Sequence, residues 1–153
     1  MAKFNYRMEN ILNIKLKMED SARSVFAEAA ATLRKEEEKL KTIKRRIAGF
    51  EAEGRRLRES TLNIREIREN TEAINNLKEA LKLQEGNVER ATEALEAARS
   101  SLEEAMQERK TQEKLKENAF EEFKKEINAA ENKEIDELIS YRFGRISRSL
   151  EDK

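Results

Sequence analysis

This 153-residue chain contains no cysteine, histidine, proline or tryptophan. The absence of cysteine excludes a disulfide framework and fits a reducing compartment. Without histidine or cysteine, the chain lacks the commonest general base, the thiolate nucleophile and the best ligands for transition metals. Its four glycines stand alone in the sequence, so no glycine-rich phosphate loop can form. We therefore expect a protein that is not an enzyme, binds no metal and needs no cofactor.

Large apolar side chains are also scarce. Aromatic residues make up 5% of the chain and charged residues 42%, so a thick globular core cannot be built. No apolar run is long enough to span a membrane. The N-terminal stretch MAKFNYRMEN lacks the apolar region of a signal peptide. These features predict a cytoplasmic protein.

The chain carries 32 basic and 32 acidic residues, and the two signs alternate throughout. A nucleic-acid clamp, which concentrates positive charge on one face, is therefore disfavoured. Disorder is a competing interpretation of so polar a chain. However, Ala, Glu, Lys, Leu and Arg dominate the composition, and apolar residues return about every 3.5 positions. That combination is typical of long helices or a coiled coil.

In the first half of the chain, apolar residues alternate in steps of three and four, which predicts one packing seam along a helix. The seam positions are Leu33, Glu36, Leu40, Ile43, Ile47, Phe50, Gly54 and Leu57. Upstream we expect it to pass through Phe4, Met8, Ile11, Met18, Ala22 and Phe26. A four-residue slip near Ala22 is a stutter, which locally unwinds a supercoil without ending the helix.

A second register of apolar positions begins after the first one ends at Leu57. Its positions are Ile67, Ile74, Leu81, Val88, Leu95 and Leu102, with Leu77, Ala91, Ala98 and Ala105 at companion positions. Between the two registers lies ESTLNIRE, whose Ser, Thr and Asn favour local side-chain to backbone hydrogen bonds. Asn63 followed by Glu66 resembles a capping box. The sequence therefore predicts a turn at residues 60–63.

These registers predict an all-α protein, a long antiparallel two-helix coiled coil (an α-hairpin) in which the second helix is longer than the first. The expected organisation is a single domain over 1–153, with helix 1 about 4–59, the turn about 60–63, helix 2 about 64–143 and a tail at 144–153. Gly144 is a plausible terminator of helix 2. An alternative is one long helix that dimerises in parallel, against which the phase break argues.

In the second register, charged residues occupy two positions where apolar core residues are expected. Arg109 and Lys116 occupy its next two positions, within a polar run that only Leu115 interrupts between Met106 and Ala119. The aliphatic stems of such residues can cover a core while their heads reach solvent. A solvated charge run and a surface for a charged partner are both compatible with this spacing.

The segment expected to lie opposite, NILNIKLKM, carries more apolar residues than one seam needs. Ile11, Ile14 and Met18 cluster on one face, while Leu12 and Leu16 lie about 120° away. One interpretation is a docking face for another protein formed by Leu12 and Leu16. The other is that isolated surface leucines are common.

The end of helix 2 also carries more apolar residues than packing within the hairpin needs. Everything after about Phe120 is expected to project beyond the N-terminus, without a partner inside the chain. Its apolar stripe consists of Phe120, Phe123, Ile127, Ala130, Ile135, Leu138 and Ile139, extended by Tyr141 and Phe143. Exposed stripes of this length mark an interface. Nearer the turn, Ile74 and Leu77 are expected to form a small accessible patch.

Three blocks of the sequence carry a resemblance to a known family. FNYRMENILNIK, ARSSLEEAMQERKTQEKLKENAFEEF and ENKEIDELISYRFGR, in that order and spacing, resemble the flagellar export protein FliJ family in its Gram-positive form. The resemblance implies an antiparallel two-helix coiled coil, similar to the central stalk of rotary ATPases. It implies a cytoplasmic position at the base of the flagellar basal body, within the type III export apparatus.

The resemblance also implies partners. The terminal part of such a protein enters the pore of the hexameric export ATPase and promotes its assembly and activity. The end near the turn contacts the export gate protein FlhA, and family members bind export chaperones. We expect a monomer in solution. The competing hypothesis is a structural coiled-coil protein that dimerises without an ATPase partner.

Site residues follow from the resemblance and from the apolar pattern together. The family's charged block, which would face the ATPase, matches Arg109, Lys110, Glu113, Lys114, Leu115, Glu117 and Phe120. The apolar pattern adds Phe123, Leu12 and Leu16, and the gate-binding segment contains Ile74 and Leu77. On this hypothesis, helix 2 stops packing on helix 1 at the charged block because it passes there through a ring of another protein.

Overall fold

The chain forms two long α-helices in a computed structural model that describes residues 2–151. Helix α1 covers Glu9–Glu59, 51 residues, and helix α2 covers Ile64–Glu151, 88 residues. Residues 2–151 contain no β-strand. The two helices pack against each other as a hairpin with the second helix longer, so the predicted all-α fold class is confirmed.

The turn lies where the phase break predicts it. The side-chain oxygen of Asn63 accepts hydrogen bonds from the backbone N–H groups of Arg65 at 3.1 Å and Glu66 at 3.5 Å. Asn63 is thus the N-cap of α2 and satisfies two of its unpaired donors. No non-glycine residue between 2 and 151 has a positive φ, so neither glycine nor proline is needed at this turn.

The outer ends of both helices differ from the expectation. Helix α1 begins at Glu9 rather than near residue 4, and the Glu9 N–H donates to the Tyr6 carbonyl at 3.2 Å. Helix α2 continues through Gly144 to Glu151. Gly144 therefore does not terminate the helix, because one glycine costs only about 1 kcal/mol in a helix interior and its neighbours favour helix. Residues 152–153 of the predicted tail lie outside the described residues.

The chain divides into two compact units. One is Met18–Met106, which contains the turn and is called the turn unit below. The other combines Met1–Lys17 with Gln107–Lys153 and is called the terminal unit. Each unit contains part of α1 and part of α2, and each is described by itself.

In the turn unit the helices are antiparallel and the predicted seams are in register. Asn70 bonds to Phe50 and Gln84 bonds to Glu36, so a step of fourteen residues forward in α2 matches fourteen backward in α1. Every α1 seam position predicted from Leu33 to Leu57 is buried or half-buried. The buried α2 residues recur at intervals of seven: Asn70, Leu77, Gln84, Ala91, Ala98 and Ala105.

Two of those buried α2 residues are polar, and neither was predicted to lie in the seam. The Asn70 amide donates to the Phe50 carbonyl at 2.9 Å, and the Gln84 amide donates to the Glu36 carbonyl at 2.9 Å and to the Glu36 carboxylate. A Cβ added at Gly54 would lie 2.6 Å from the Asn70 side-chain oxygen. Buried amides satisfied in this way favour one register of a coiled coil over others.

Candidate functional site: binding surfaces of the terminal unit

In the terminal unit, ion pairs join α1 and α2 across the seam. Lys116 Nζ lies 2.8 Å from one carboxylate oxygen of Glu9 and donates a hydrogen bond to the other at 3.0 Å. Lys15 Nζ lies 2.9 Å from the Glu108 carboxylate. Helix α2 thus continues to pack on α1 through the charged block. The expectation that packing stops there is wrong, because paired charges replace apolar residues at the seam.

Arg109 belongs to this seam rather than to the outer surface. Its side chain is 19% exposed, and its guanidinium lies 2.7 Å from the Glu113 carboxylate, one helical turn on. Such an i,i+4 pair on one helix typically contributes a few tenths of a kcal/mol. Burial of the stem makes Arg109 a packing residue, so its reversal would disturb the fold as well as any partner contact.

The outward part of the charged block consists of other predicted residues. Lys114 and Glu117 are each about two-thirds exposed and lie 3.5 Å apart. Lys110 is exposed, and Leu115 is 43% exposed. Together with Glu113, these residues form a mixed-charge surface, called the charged face below. Its residues are Lys110, Glu113, Lys114, Leu115 and Glu117.

Phe120 and Phe123 have a partner inside the chain, contrary to expectation. The Phe4 ring centroid lies 5.1 Å from that of Phe120 and 5.3 Å from that of Phe123, with tilted or edge-on geometry. Aromatic pairs at such distances are favourable beyond the area that they bury. Phe120 remains 38% exposed, whereas Phe123 is half-buried. The non-helical segment before Glu9 allows Phe4 to reach both rings.

The apolar residues near the start of α1 are not distributed between seam and surface as predicted. Leu12 is 5% exposed and lies in the seam with Glu9 and Lys15, whereas Leu16 is 38% exposed and Ile14 is 55% exposed. The expectation that Leu12 belongs to an outward docking face is wrong. Its physical reason is that the seam neighbours of Leu12 are ion-paired residues, which a search for apolar spacing does not select.

The end of α2 is a long surface whose described residues are all exposed. Every residue from 128 to 151 is exposed. Its large apolar side chains are between 50% and 69% exposed: Ile135, Leu138, Ile139, Tyr141, Phe143, Ile146 and Leu150. The projecting helix therefore begins after Ile127 rather than at Phe120.

The patch predicted near the turn is not accessible. Leu77 is 9% exposed and Ile74 is half-buried, because both lie in the seam of the turn unit. The exposed apolar residues at the turn are instead Leu62 and Ile64, which are 68% and 74% exposed. The sequence carries a signal for Leu62, which fits neither packing register, whereas Ile64 falls on an extension of the first register.

The described residues contain neither a metal-binding cluster nor a helix that could span a membrane. Between residues 2 and 151 no cluster of His, Cys, Asp or Glu could hold a metal ion. No helix in the described part of the chain is both long and apolar enough to cross a membrane. The Glu53 carboxylate raises the pKa of Arg56, which is an ordinary surface ion pair.

The fold and these surfaces define a class of long helical hairpins with an exposed terminal helix, and comparison with known proteins gives the family. The model of the flagellar FliJ protein family matches residues 4–148. The structure of a putative YscO homolog from Chlamydia trachomatis is similar, with a TM-score of 0.75, 26% identity and 98% coverage of each chain. None of the curated proteins matches the chain. The chain belongs to the flagellar FliJ family, whose members are components of a type III export apparatus.

Proposed function

We propose that this protein acts as a central-stalk-like coiled coil of the flagellar export apparatus. In this role it binds the hexameric export ATPase, promotes its assembly and activity, and links it to the export gate FlhA and to export chaperones. The proposed location is cytoplasmic, at the base of the basal body. Family membership supports the apparatus, and the surfaces of the terminal unit support the particular contacts.

The observation that carries the ATPase contact is the exposure of every residue from 128 to 151 on a helix that begins far upstream. A single exposed helix is narrow enough, about 10–12 Å across, to enter a ring. The charged face lies N-terminal to it in the same unit, with the segment that contains Phe120, Phe123 and Ile127 between them. Its mixed charges would set orientation and association rate more than affinity.

The contact residues follow from exposure. Lys110, Glu113, Lys114, Leu115, Glu117 and Phe120 are the proposed ATPase-facing residues, with Leu16 as an exposed apolar contact. Arg109 and Phe123 support this surface from the seam, and Leu12 is buried beneath it. Contacts of buried residues with a partner would require the hairpin to open.

The test is ATP hydrolysis by the cognate export ATPase with and without this protein. Stimulation is expected, and Lys110→Glu with Lys114→Glu should lose it because both lysines are exposed. Lys78→Glu with Lys82→Glu is the matched control: the same charge change and spacing, on exposed residues of the turn unit. Equal losses in both variants would contradict the placement of the contact. No stimulation by the parent protein would reduce its role to that of an adaptor.

For the gate contact, we propose Leu62 and Ile64, with Ile74 and Leu77 supporting the helix behind them. Leu62→Asp should weaken binding to the cytoplasmic domain of the gate at least tenfold, measured by calorimetry. Leu83→Asp is the control, because Leu83 is 69% exposed and Leu62 is 68% exposed. Unchanged binding of the Leu62 variant would remove the turn from the gate interface.

A further inference from the structure

Charge is segregated along the projecting helix. Residues 131–137 contain four carboxylates and one lysine, whereas residues 142–148 contain three arginines and no acidic residue. All of these residues are exposed. A block of carboxylates thus precedes a block of guanidinium groups along this helix.

The apolar stripe between and beside these charges does not continue the hairpin seam. The seam passes through Lys116 and Phe123, and its next positions at intervals of seven are Ala130, Glu137 and Gly144. The exposed stripe instead contains Ile135, Ile139, Phe143, Ile146 and Leu150. At about 100° per residue, these five lie within a sector of about 80°. They therefore face a different direction from α1 and require a different partner.

Four charged residues flank this stripe on one side. Glu131 and Glu134 precede its first residue, Ile135, and Arg142 and Arg145 lie near its middle. All four are within about 100° of the edge of the stripe in helical projection. None of them forms an ion pair with another part of the chain described here, although the Arg145 guanidinium lies 5.9 Å from the Tyr141 ring centroid.

We propose that this face binds the same face of a second copy of the chain in antiparallel orientation. In an antiparallel pair, equivalent flanks of the two helices meet, so the carboxylates of Glu131 and Glu134 lie opposite the guanidinium groups of Arg145 and Arg142 of the second copy. The two-fold axis repeats both pairs. Ile139 lies near that axis, and the overlap of the two stripes is confined to residues 135–141 of each copy. Flanking charges of this kind select partner and orientation in coiled coils.

A second copy fits this face better than an unrelated partner, because its charge pattern complements itself. In a parallel pair this flank would face the opposite flank of the second copy, so the carboxylates of Glu131 and Glu134 would not meet Arg142 and Arg145. The antiparallel dimer is an alternative to the expected monomer, which stays a prediction. It does not depend on any contact with the ATPase.

Sedimentation velocity of the full chain tests the proposal, and we expect a reversible monomer–dimer equilibrium. Glu131→Arg with Glu134→Arg makes the flank wholly basic and should weaken dimerisation at least tenfold. Arg142→Glu with Arg145→Glu makes it wholly acidic and should do the same. A mixture of these two variants should restore a dimer, which shows that both are folded. A monomer at all concentrations, or a mixture that stays monomeric, would overturn the proposal.

Orientation is tested by cross-linking, since the chain has no cysteine of its own. Asn128→Cys and Ser149→Cys place one thiol at either end of the exposed helix. Antiparallel pairing predicts a mixed disulfide between the two variants and little disulfide within either one. Efficient disulfide formation within each variant alone would indicate a parallel dimer and contradict the proposal. Because no ATPase is present, these outcomes are separate from the fate of the proposed function.

Discussion

At the scale of single residues, Gly54 and Asn70 show how a hairpin with few apolar residues fixes its register. Asn70 is 7% exposed and donates to the backbone carbonyl of Phe50, while its oxygen lies where a side chain of residue 54 would begin. The pair allows close approach of the helices and satisfies a buried amide. A shifted register would leave that amide without its acceptor, which costs about 1–3 kcal/mol.

Gly54→Ala should therefore destabilise the protein although alanine is the better helix former. The new Cβ would lie 2.6 Å from the Asn70 oxygen, so the amide must move and its bond to Phe50 weakens. We expect a loss of about 1–3 kcal/mol in the free energy of unfolding, measured in urea. Gly49→Ala is the control. Nothing lies within 4 Å of its Cβ, so a gain of up to about 1 kcal/mol is expected. Equal effects of both changes would refute the packing role of Gly54.

Because of Glu36, we expect the stability of the turn unit to depend on pH in the acidic range. The hydrogen bond from the Gln84 amide, followed by the charge of Lys39, lowers the pKa of Glu36 below its ordinary value of 4.5. A lowered pKa in the folded state means that this contribution to stability is present above pH 4.5 and is lost as pH falls through the folded pKa.

Glu36→Gln should therefore lose stability relative to the parent near neutral pH, and this difference should shrink on acidification below pH 4.5. Chemical unfolding at a series of pH values measures it. Glu37→Gln is the neighbouring control, because Glu37 is exposed and should show no comparable pH dependence of the difference. A difference for Glu36→Gln that stays constant down to about pH 3 would show that its carboxylate is not stabilised by folding.

At the scale of helices, the ends of α1 and α2 are joined by charge and aromatic packing rather than by an aliphatic core. Glu9 and Lys116 are about 40% exposed in their side chains, so their attraction is screened by solvent and salt. Such a seam is weaker than that of the turn unit, where alanines at intervals of seven are nearly fully buried. This difference makes the terminal unit the part of the hairpin best suited to rearrange on binding.

Reversal of Lys116 tests the ionic seam. Lys116→Glu places a carboxylate opposite Glu9 and should destabilise the protein. Combining it with Glu9→Lys should recover about 0.2–1 kcal/mol, the range for partly exposed pairs. A double-mutant cycle in urea, at low and high salt, measures the coupling. Coupling that is absent at low salt, or that grows as salt is added, would contradict an electrostatic contact between these residues.

At the scale of the whole molecule, one part of α2 packs in the hairpin and its exposed end offers a surface for binding. All buried and half-buried positions of the described chain lie at or before Ile127, whereas all residues from 128 to 151 are exposed. The exposed helix therefore contributes little to the stability of the hairpin. It is available both for a second copy of the chain and for the proposed ATPase, so the two would compete for it.

Truncation after Ile127 separates these roles. We expect the thermal unfolding midpoint of the hairpin to change by less than about 4 °C, which corresponds to less than roughly 1 kcal/mol. Dimerisation and stimulation of the ATPase should both be lost. Truncation after Ala119 is the contrasting control, because it also removes Phe120 and Phe123, on which Phe4 packs, and should lower the midpoint. Full stimulation by the protein truncated after Ile127 would exclude the projecting helix from the pore contact.

Prediction from sequence succeeded where side chains follow one simple rule. The seam from Leu33 to Leu57, the second register from Ile67 and the N-cap at Asn63 are local patterns of apolar spacing or capping. It failed for Leu12, for the patch of Ile74 and Leu77, and for the start of the projecting helix. In each of those cases, the outcome depends on what lies opposite in the other helix.

The sequence by itself determined the number of helices, their order, the turn and the unequal lengths, because a period of seven and its phase break are written into consecutive residues. It also carries the charge segregation of residues 131–148. Only the tertiary structure decided that Lys116 pairs with Glu9, that Phe4 packs on Phe120, and that Leu12 is buried while Ile14 is not. The physical reason is that polar seam residues are stabilised by a specific partner across the hairpin, and apolar spacing in one helix does not specify that partner.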